Sequence, residues 1–158
     1  MMEDAKFEDG GEHPLYLGAE SSEDLQVLAS LTQDAVFPVT EMTYRASERR
    51  FAILLNRFRW EDVGAAKARG RDFERVQSVL DFGDVLKVSS QGVDRSDSDM
   101  ILSLLSIDFE AGEDGAGRVI LTLAGDGAIA LDVECINVTL RDVTRPYIAP
   151  SRKAPSHD

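Results

Sequence analysis

The chain has one cysteine, Cys135, and two histidines, His13 and His157, among its 158 residues. A single cysteine excludes an internal disulfide framework, a CxxC motif and a zinc site built from thiolates. Both histidines lie in the terminal segments, so a Ser-His-Asp or Cys-His catalytic device would require a terminal segment to fold back. Because Cys135 stands in an apolar, strand-like context, we expect its thiol to be buried and unreactive.

Long apolar runs and phosphate-binding glycine loops are also lacking. No segment approaches the roughly 18 apolar residues of a membrane helix, and the acidic start has no basic and apolar regions of a signal peptide. Neither GxxxxGK[ST] nor a GxGxxG after a strand occurs. The net charge of −12 argues against binding to nucleic acid or an anionic membrane. We therefore expect a cytoplasmic protein with no cofactor.

Length and composition predict one globular domain with two tails. The chain has 158 residues, 43% of them hydrophobic and 29% charged, which is ordinary for a single domain. Residues 1–13 are polar and acidic, and we expect them to be disordered. Repeated prolines after residue 144 predict a flexible tail over 145–158, which leaves 14–144 as the globular domain.

The stretch 49–60, RRFAILLNRFRW, is the longest segment with strong strand character. Phe51, Ile53 and Leu55 fall on one pleat face, and most residues between and after them are apolar as well. A strand that is apolar on both faces belongs at the centre of a domain. We therefore place this strand in the middle of a sheet.

Residues 22–33 are predicted to form the one helix. Ser21 followed by Asp24 matches a capping box, and acidic residues favour the first turn of a helix. Leu25 and Leu28 begin an apolar stripe at helical spacing.

Most of the remaining chain reads as strands and turns. The stretch 61–70 is undecided between a helical turn and a loop, and its two glycines favour the loop. GDG at 125–127 predicts a tight hairpin turn in which Asp-Gly supplies the positive φ angles. The stretch 133–143 fits a strand or a helix, and its β-branched residues favour a strand. The predicted fold is α+β and mainly β, with about seven antiparallel strands in a bent sheet or partly closed barrel.

Three segments carry a resemblance to a known family. ERRFAILLNRFRWE at 48–61, FERV at 73–76 and GAIALDVECINVTLRDV at 127–143 resemble an uncharacterised family of small bacterial proteins of alphaproteobacterial type, known only as a domain of unknown function. The likeness covers about 15–143. The resemblance implies a stand-alone cytosolic protein and assigns no catalytic residue.

Basic residues are concentrated in one part of this acidic chain. Between residues 45 and 75 there are nine basic and five acidic residues, a balance of about +4, whereas the remainder carries about −16. Arginine binds oxyanions through paired hydrogen bonds, so residues 57–75, here called the basic segment, are a candidate site for an anionic ligand or an acidic partner. The alternative is that these arginines pair with the protein's own acids.

Six residues of the basic segment are candidate ligand-binding residues: Arg57, Arg59, Trp60, Arg69, Arg71 and Arg75. Arg57 shares the pleat face of Leu55, so its guanidinium must be paired, line a cavity or lie at the exposed end of the strand. The exposed strand end is the simplest of the three. Trp60 with Arg59 would form a stacking surface for a ring, and rim packing is the alternative.

Three carboxylates lie close together in the polar loop at 92–99. Asp94, Asp97 and Asp99 are spaced closely enough to chelate Ca²⁺ or Mg²⁺. The loop lacks the glycine and the final glutamate of an EF-hand, and Ser and Asp commonly cap turns. We therefore expect turn caps and no metal ion.

Three functional hypotheses follow. The first is a non-enzymatic binding module that presents the basic segment to an acidic protein partner or a small anionic ligand, and the lack of an internal histidine favours it. The second is an enzyme that acts on a phosphorylated or carboxylated small molecule, with arginines holding the anion and an Asp or Glu as base. The third is a homo-oligomer that assembles through an uncovered sheet face without a ligand.

Overall fold

The computed structural model describes residues 14–148 and residue 155, so residues 1–13 and most of the predicted C-terminal tail lie outside the described residues. The described part has two α-helices, α1 (Ser22–Leu31) and α2 (Val63–Arg69). Neither is long and apolar enough to cross a membrane. Eleven strands accompany them: β1 (Tyr16–Ala19), β2 (Val36–Pro38), β3 (Met42–Arg45), β4 (Arg50–Phe58), β5 (Glu74–Phe82), β6 (Val85–Gln91), β7 (Ile101–Ala111), β8 (Gly117–Leu123), β9 (Ala128–Val133), β10 (Val138–Asp142) and β11 (Tyr147–Ile148). The mainly β class is confirmed, with more strands than the seven predicted.

The strands form one antiparallel sheet that curls back on itself. Its order is β1-β10-β5-β4-β2-β7-β8-β9-β6, with β3 beside β4 and β11 beside β5. β2 joins the two halves, because Val36 pairs with Asn56 of β4 and with Ser103 of β7. At the other end, the amide of Val85 on β6 donates to the carbonyl of Arg49, just before β4 (2.8 Å). The described sheet is not closed, since β3 and β6 approach there without pairing.

Both halves of the sheet bury their inward faces in one core. Phe51, Ile53 and Leu55 of β4 are buried, as predicted for a central strand. Alternate residues of β5, β8 and β9 enclose the same core: Leu80, Phe82, Val119, Leu121, Leu123, Ile129, Leu131 and Val133. Burying one such side chain stabilises the fold by about 1.5–3 kcal/mol relative to exposure. A register slip by one residue would expose a whole face, so the core fixes the register.

α1 begins where the capping pattern predicts. Ser21 has extended backbone angles, and its Oγ accepts a hydrogen bond from the amide of Asp24 (3.1 Å). This bond satisfies one of the free amides at the start of the helix. Leu25 and Leu28 are buried in the core. The helix ends at Leu31, slightly before the predicted boundary.

The stretch 61–70, predicted to be a loop, contains α2. Gly64 lies inside the helix, where a Cβ would meet open space. Gly70 ends it with φ 66°, and its amide donates to the carbonyl of Lys67 (3.3 Å). Ala66 is fully buried and anchors the helix. The loop prediction is wrong because the alanines favour a helix and because, of the two glycines, only Gly70 ends the helix.

The hairpin between β8 and β9 turns one residue earlier than predicted. The positive φ angles are at Gly125 (81°) and Asp126 (70°), whereas Gly127 has none. A type I′ turn requires two such central residues, and here they are Gly-Asp instead of Asp-Gly. The predicted strand within 133–143 is present as β10.

The described residues at the start of the predicted C-terminal tail continue the sheet. Tyr147 and Ile148 form β11 and pair with Arg75 and Glu74 of β5. The side chain of Tyr147 therefore lies on the same side of the sheet as that of Arg75.

Candidate functional site

Arg57, near the end of β4, is fully buried. It points inward because it shares the pleat face of Leu55. Its Nη2 lies 3.0 Å from Oδ1 of Asp142 on β10, and its Nε donates to Oγ of Ser78 on β5 (3.1 Å). Glu61 contacts the other edge of the guanidinium, with Nη1 to Oε1 at 2.9 Å and Nη2 to Oε2 at 2.8 Å.

The partners of Arg57 outweigh the effect of burial on its pKa. Burial acts to lower the pKa of Arg57, but the hydrogen bonds and charges of Glu61 and Asp142 raise it above the ordinary value. Burial acts to raise the pKa of Glu61, yet Arg57 holds it below its usual range. Asp142 also accepts from Oγ of Ser78 (2.6 Å) and from the amide of Leu15 (2.9 Å). The cluster therefore joins β4, β5 and β10 as an internal polar connection.

The prediction that Arg57 lies at an exposed strand end is wrong. β4 ends at Phe58, but the 3₁₀ turn Trp60–Asp62 folds Glu61 back over the guanidinium. Of the three alternatives that the sequence leaves open, the structure shows the paired one. The strand end is covered by its own next turn of chain.

A second ionic cluster adjoins the first. Arg59 is nearly fully buried, pairs with Glu74, and has its Nη1 3.4 Å from Oδ2 of Asp62. Arg71 donates two hydrogen bonds to the same Asp62 carboxylate (2.6 and 2.8 Å). These bonds are the main reason that the pKa of Asp62 is lowered, and the charge of Arg69 acts in the same direction.

Trp60 packs against the chain itself. Its ring is half-buried, 4.7 Å from the ring of Phe58 in an edge-on arrangement, and its Nε1 donates to the carbonyl of Gln33 (3.0 Å). Phe58 also contacts Phe73 at 5.7 Å between ring centroids. This is rim packing, and stacking on a ligand stays a prediction.

The structure brings three of the six predicted site residues together. Glu61 links Arg57 to Arg59, since its Oε2 lies 2.8 Å from the first guanidinium and 3.8 Å from Nε of the second. Arg71 joins them through Asp62. The remaining two arginines make no ion pair within residues 14–148. They are Arg69, exposed at the end of α2, and Arg75.

Arg75 is half-buried on the outward side of β5. Its Nε donates to Oδ1 of Asn56 (2.5 Å) and its Nη2 to the backbone carbonyl of the same residue (3.3 Å). The amide group of Asn56 in turn donates to the hydroxyl of Tyr147. Burial lowers the pKa of Arg75 by more than the charges of Tyr147 and Asp34 raise it. No carboxylate of the described residues lies within salt-bridge distance of this guanidinium.

A row of cross-strand partners extends from this position over the outward side of the sheet. Tyr16 of β1 pairs with Arg141 of β10, which pairs with Val79 of β5, which pairs with Leu54 of β4. Tyr16 is 70% exposed. Arg141 is exposed and has no hydrogen bond or ion pair in the described part of the chain. We call the following residues the outer face: Tyr16, Leu54, Asn56, Arg75, Val79, Arg141 and Tyr147.

The acidic loop at 92–99 caps its own turns. Oδ1 of Asp94 accepts from the amide of Ser96 (3.0 Å), and Oδ1 of Asp97 accepts from the amide of Asp99 (3.1 Å). The bonds from Ser96 lower the pKa of Asp94. Among the described residues, no group of three or more His, Cys, Asp or Glu side chains could hold a metal ion.

Cys135 is exposed, which contradicts the prediction of a buried thiol. It lies in the connection between β9 and β10, where the alternation of the strand is broken, and its Sγ donates to Oδ2 of Asp84 (3.4 Å). Partial burial and this carboxylate raise the pKa of the thiol, so it is a poor nucleophile.

The comparison with known families identifies the group to which this sequence belongs. A profile described as "Protein of unknown function (DUF2948)" matches residues 15–157. The chain belongs to the DUF2948 family. The resemblance to a domain of unknown function is thereby confirmed, while bacterial origin and a cytosolic location stay predictions. No curated protein and no solved structure matches the chain.

The DUF2948 match includes the whole outer face. It begins at Leu15, next to Tyr16, and continues past Tyr147, the last outer-face residue along the chain. The family description gives no activity, so the function of this DUF2948 chain must be argued from its own geometry.

Proposed function

We propose that the chain is a non-enzymatic interaction module whose outer face binds an acidic segment of a protein partner. The observation that carries the proposal is the state of Arg75: half-buried, hydrogen-bonded to the neutral Asn56, and without a carboxylate partner in residues 14–148. A carboxylate from a partner would supply the missing counterion. Charge-assisted hydrogen bonds are roughly twice as strong as neutral ones.

The composition of the outer face supports a protein partner. It holds two tyrosines and two arginines around two aliphatic side chains. Tyrosine and arginine are enriched among the residues that dominate binding energy at protein interfaces. Although the chain as a whole has a net charge of −12, two arginines without ion pairs in residues 14–148 make this face the side that would attract and orient an acidic partner.

The other arginines of the basic segment mainly support the structure beneath the outer face. Arg57, Arg59 and Arg71 hold the strands and the turn beneath the binding surface, and their carboxylate partners are already in place. Arg69 is exposed and without an ion pair in the described residues, so it remains available to an anion. The basic segment is thus partly scaffold and partly contact surface.

Site-specific photocrosslinking tests the proposal. Benzoylphenylalanine replaces Tyr16 or Tyr147, and in a control variant it replaces Asp126 in the β8–β9 turn in the other half of the sheet. Each full-length variant is irradiated in a lysate of the source cells and analysed by mass spectrometry. We expect protein adducts at the first two positions and none at the third. Equal crosslinking at all three positions would contradict the proposal.

Charge reversal on the outer face provides a second test in the same crosslinking experiment. Arg75→Glu combined with Arg141→Glu should remove the adducts, whereas Lys87→Glu on β6 should leave them unchanged. The adducts should also weaken with added salt, because exposed charges are screened. An adduct with the mass of a second copy of the chain would indicate homo-oligomer assembly in place of an acidic partner, and adducts that survive the double reversal would refute the role of these arginines.

A further inference from the structure

A groove lies where the curled sheet fails to close, between β3 and β6. Its cavity has a volume of about 210 Å³. β3 pairs only with β4 and β6 only with β9 in the described sheet, so each strand offers an unpaired edge to the groove. The lining residues come from both edges, from the buried floor and from the 92–99 loop: Met42, Tyr44, Phe51, Val88, Ser89, Ser90, Arg95 and Ile129.

Hydrogen bonds join the two edges at one end of the groove. There the hydroxyl of Tyr44 donates to the carbonyl of Val85 (3.2 Å), and the amide of Val85 donates to the carbonyl of Arg49 (2.8 Å). Met42 of β3 and Ser90 of β6 also line the groove and take no part in these two hydrogen bonds.

Arg95 is the charged group of this lining. It is exposed and makes no hydrogen bond or ion pair within residues 14–148. The neighbouring carboxylates are engaged elsewhere: Asp94 accepts from Ser96, and Asp97 accepts from Asp99. The guanidinium is therefore available to a ligand that enters the groove.

We propose that this groove binds a small monocarboxylate with an apolar body. The carboxylate would form paired hydrogen bonds with Arg95, and the body would lie against Met42, Val88 and Ile129. The cavity volume of about 210 Å³ is below the roughly 300–1,000 Å³ of pockets for drug-sized ligands, which suits a short chain of about six to eight carbons.

An extended peptide is the competing occupant, because two unpaired strand edges invite strand addition. The small volume and the pinned end at Tyr44 and Val85 favour the monocarboxylate. This proposal is independent of the acidic partner of the outer face, since it uses another surface and other residues.

Titration with hexanoate, followed by amide chemical shifts of the ¹⁵N-labelled full-length chain, tests the proposal. 1-Hexanol serves as the ligand without a carboxylate. We expect saturable shifts at Val88, Ser90 and Ile129 with hexanoate, and affinity at least about tenfold weaker for the alcohol, as expected for loss of a hydrogen bond to a charged group.

Variants identify the contacts. Arg95→Gln should weaken hexanoate binding about tenfold, and Val88→Trp should abolish it by filling the groove while leaving the spectrum elsewhere unchanged. Arg145→Gln, which also alters an exposed arginine without an ion pair in the described part of the chain but lies outside the outer face, should bind hexanoate like the parent.

Four results would overturn the proposal. They are the absence of saturable shifts in the groove, equal affinity for hexanoate and 1-hexanol, unchanged affinity in Arg95→Gln, and shifts along β3 and β6 with a short alanine peptide but none with hexanoate. The last result would identify strand addition as the function of these edges.

Discussion

Arg57 and Asp142 are separated by 85 positions in the sequence, and their side chains meet in the interior with Nη2 and Oδ1 3.0 Å apart. The strand between them, β5, contributes Ser78, whose hydroxyl bonds to both partners. The side chain of Asp142 is only 3% exposed and that of Arg57 is fully buried. Neither charge can therefore turn to water if the other is removed.

This pair predicts a large loss of stability for Arg57→Met. The substitution keeps an apolar side chain of similar length but leaves Asp142 buried without its counterion, and breaking such a pair typically costs about 3–5 kcal/mol. Urea denaturation should show that decrease in the free energy of unfolding. Arg141→Met, an exposed control, should stay within about 0.5 kcal/mol of the parent.

A double substitution distinguishes the effect of an unpaired buried charge from the effect of lost packing. Arg57→Met combined with Asp142→Leu removes both buried charges, so the double variant should recover part of the stability that the single variant loses. If Arg57→Met unfolds no more easily than Arg141→Met, the interior ion pair is not what holds these three strands together.

Pleat parity alone makes much of this cluster predictable. It places Arg57 on the inward face of β4, and by the same rule Ser78 and Asp142 fall on the inward faces of β5 and β10. Polar residues at inward positions of three strands indicate a buried polar cluster. Their meeting could not be predicted, because it depends on β10 lying beside β5, and such long-range pairing leaves no local pattern.

Local sequence patterns also fail to predict the shortest strands. β1, β2 and β11 have four, three and two residues, which is too few for alternation to stand out. They form because longer strands offer unpaired edges, so their existence is a tertiary effect. The glycines of the 61–70 stretch mislead for a related reason: a glycine tells where positive φ is allowed, and only packing decides where it is used.

The lowered pKa values of Glu61 and Asp62 predict that the protein loses stability in acid. Against the opposing effect of burial, Arg57 holds the pKa of Glu61 below 4.5, and Arg71 chiefly holds that of Asp62 below 3.8. A folded pKa below the unfolded one contributes stability above the unfolded value, and this is lost as pH falls through the folded value. Unfolding free energy measured against pH should therefore fall below a pH of about 4.5.

Glu61→Gln should flatten part of that acid dependence, because the substituted side chain no longer titrates. Glu113→Gln, in the exposed loop between β7 and β8, is the matched control and should leave the slope as in the parent. Identical slopes for the two variants would show that the pairing with Arg57 does not persist into the acid range.

Removing the N-cap of α1 should lower the stability of the fold by less than breaking the Arg57–Asp142 pair does. Ser21→Ala removes the acceptor for the amide of Asp24 and should lower the free energy of unfolding by about 1 kcal/mol. Ser30→Ala in the same helix removes a hydroxyl that bonds only to the carbonyl of Val27, and should change stability by less than about 0.5 kcal/mol. Thermal and urea unfolding of the two variants give the comparison, and an equal loss in both would argue against the cap.

Two glycines with open space around the Cβ position but different backbone conformations should respond to alanine with opposite signs. A Cβ added at Gly125 or at Gly64 meets no atom within 4 Å, so packing contributes little at either position. Gly125 has φ 81° in the β8–β9 turn, where a left-handed conformation costs an L-residue about 1–2 kcal/mol. Gly64 lies inside α2 with a negative φ, where alanine should stabilise by about 0.5–1 kcal/mol. Urea denaturation of Gly125→Ala and Gly64→Ala measures both, and shifts of the same sign would mean that the turn or the helix differs from the one described.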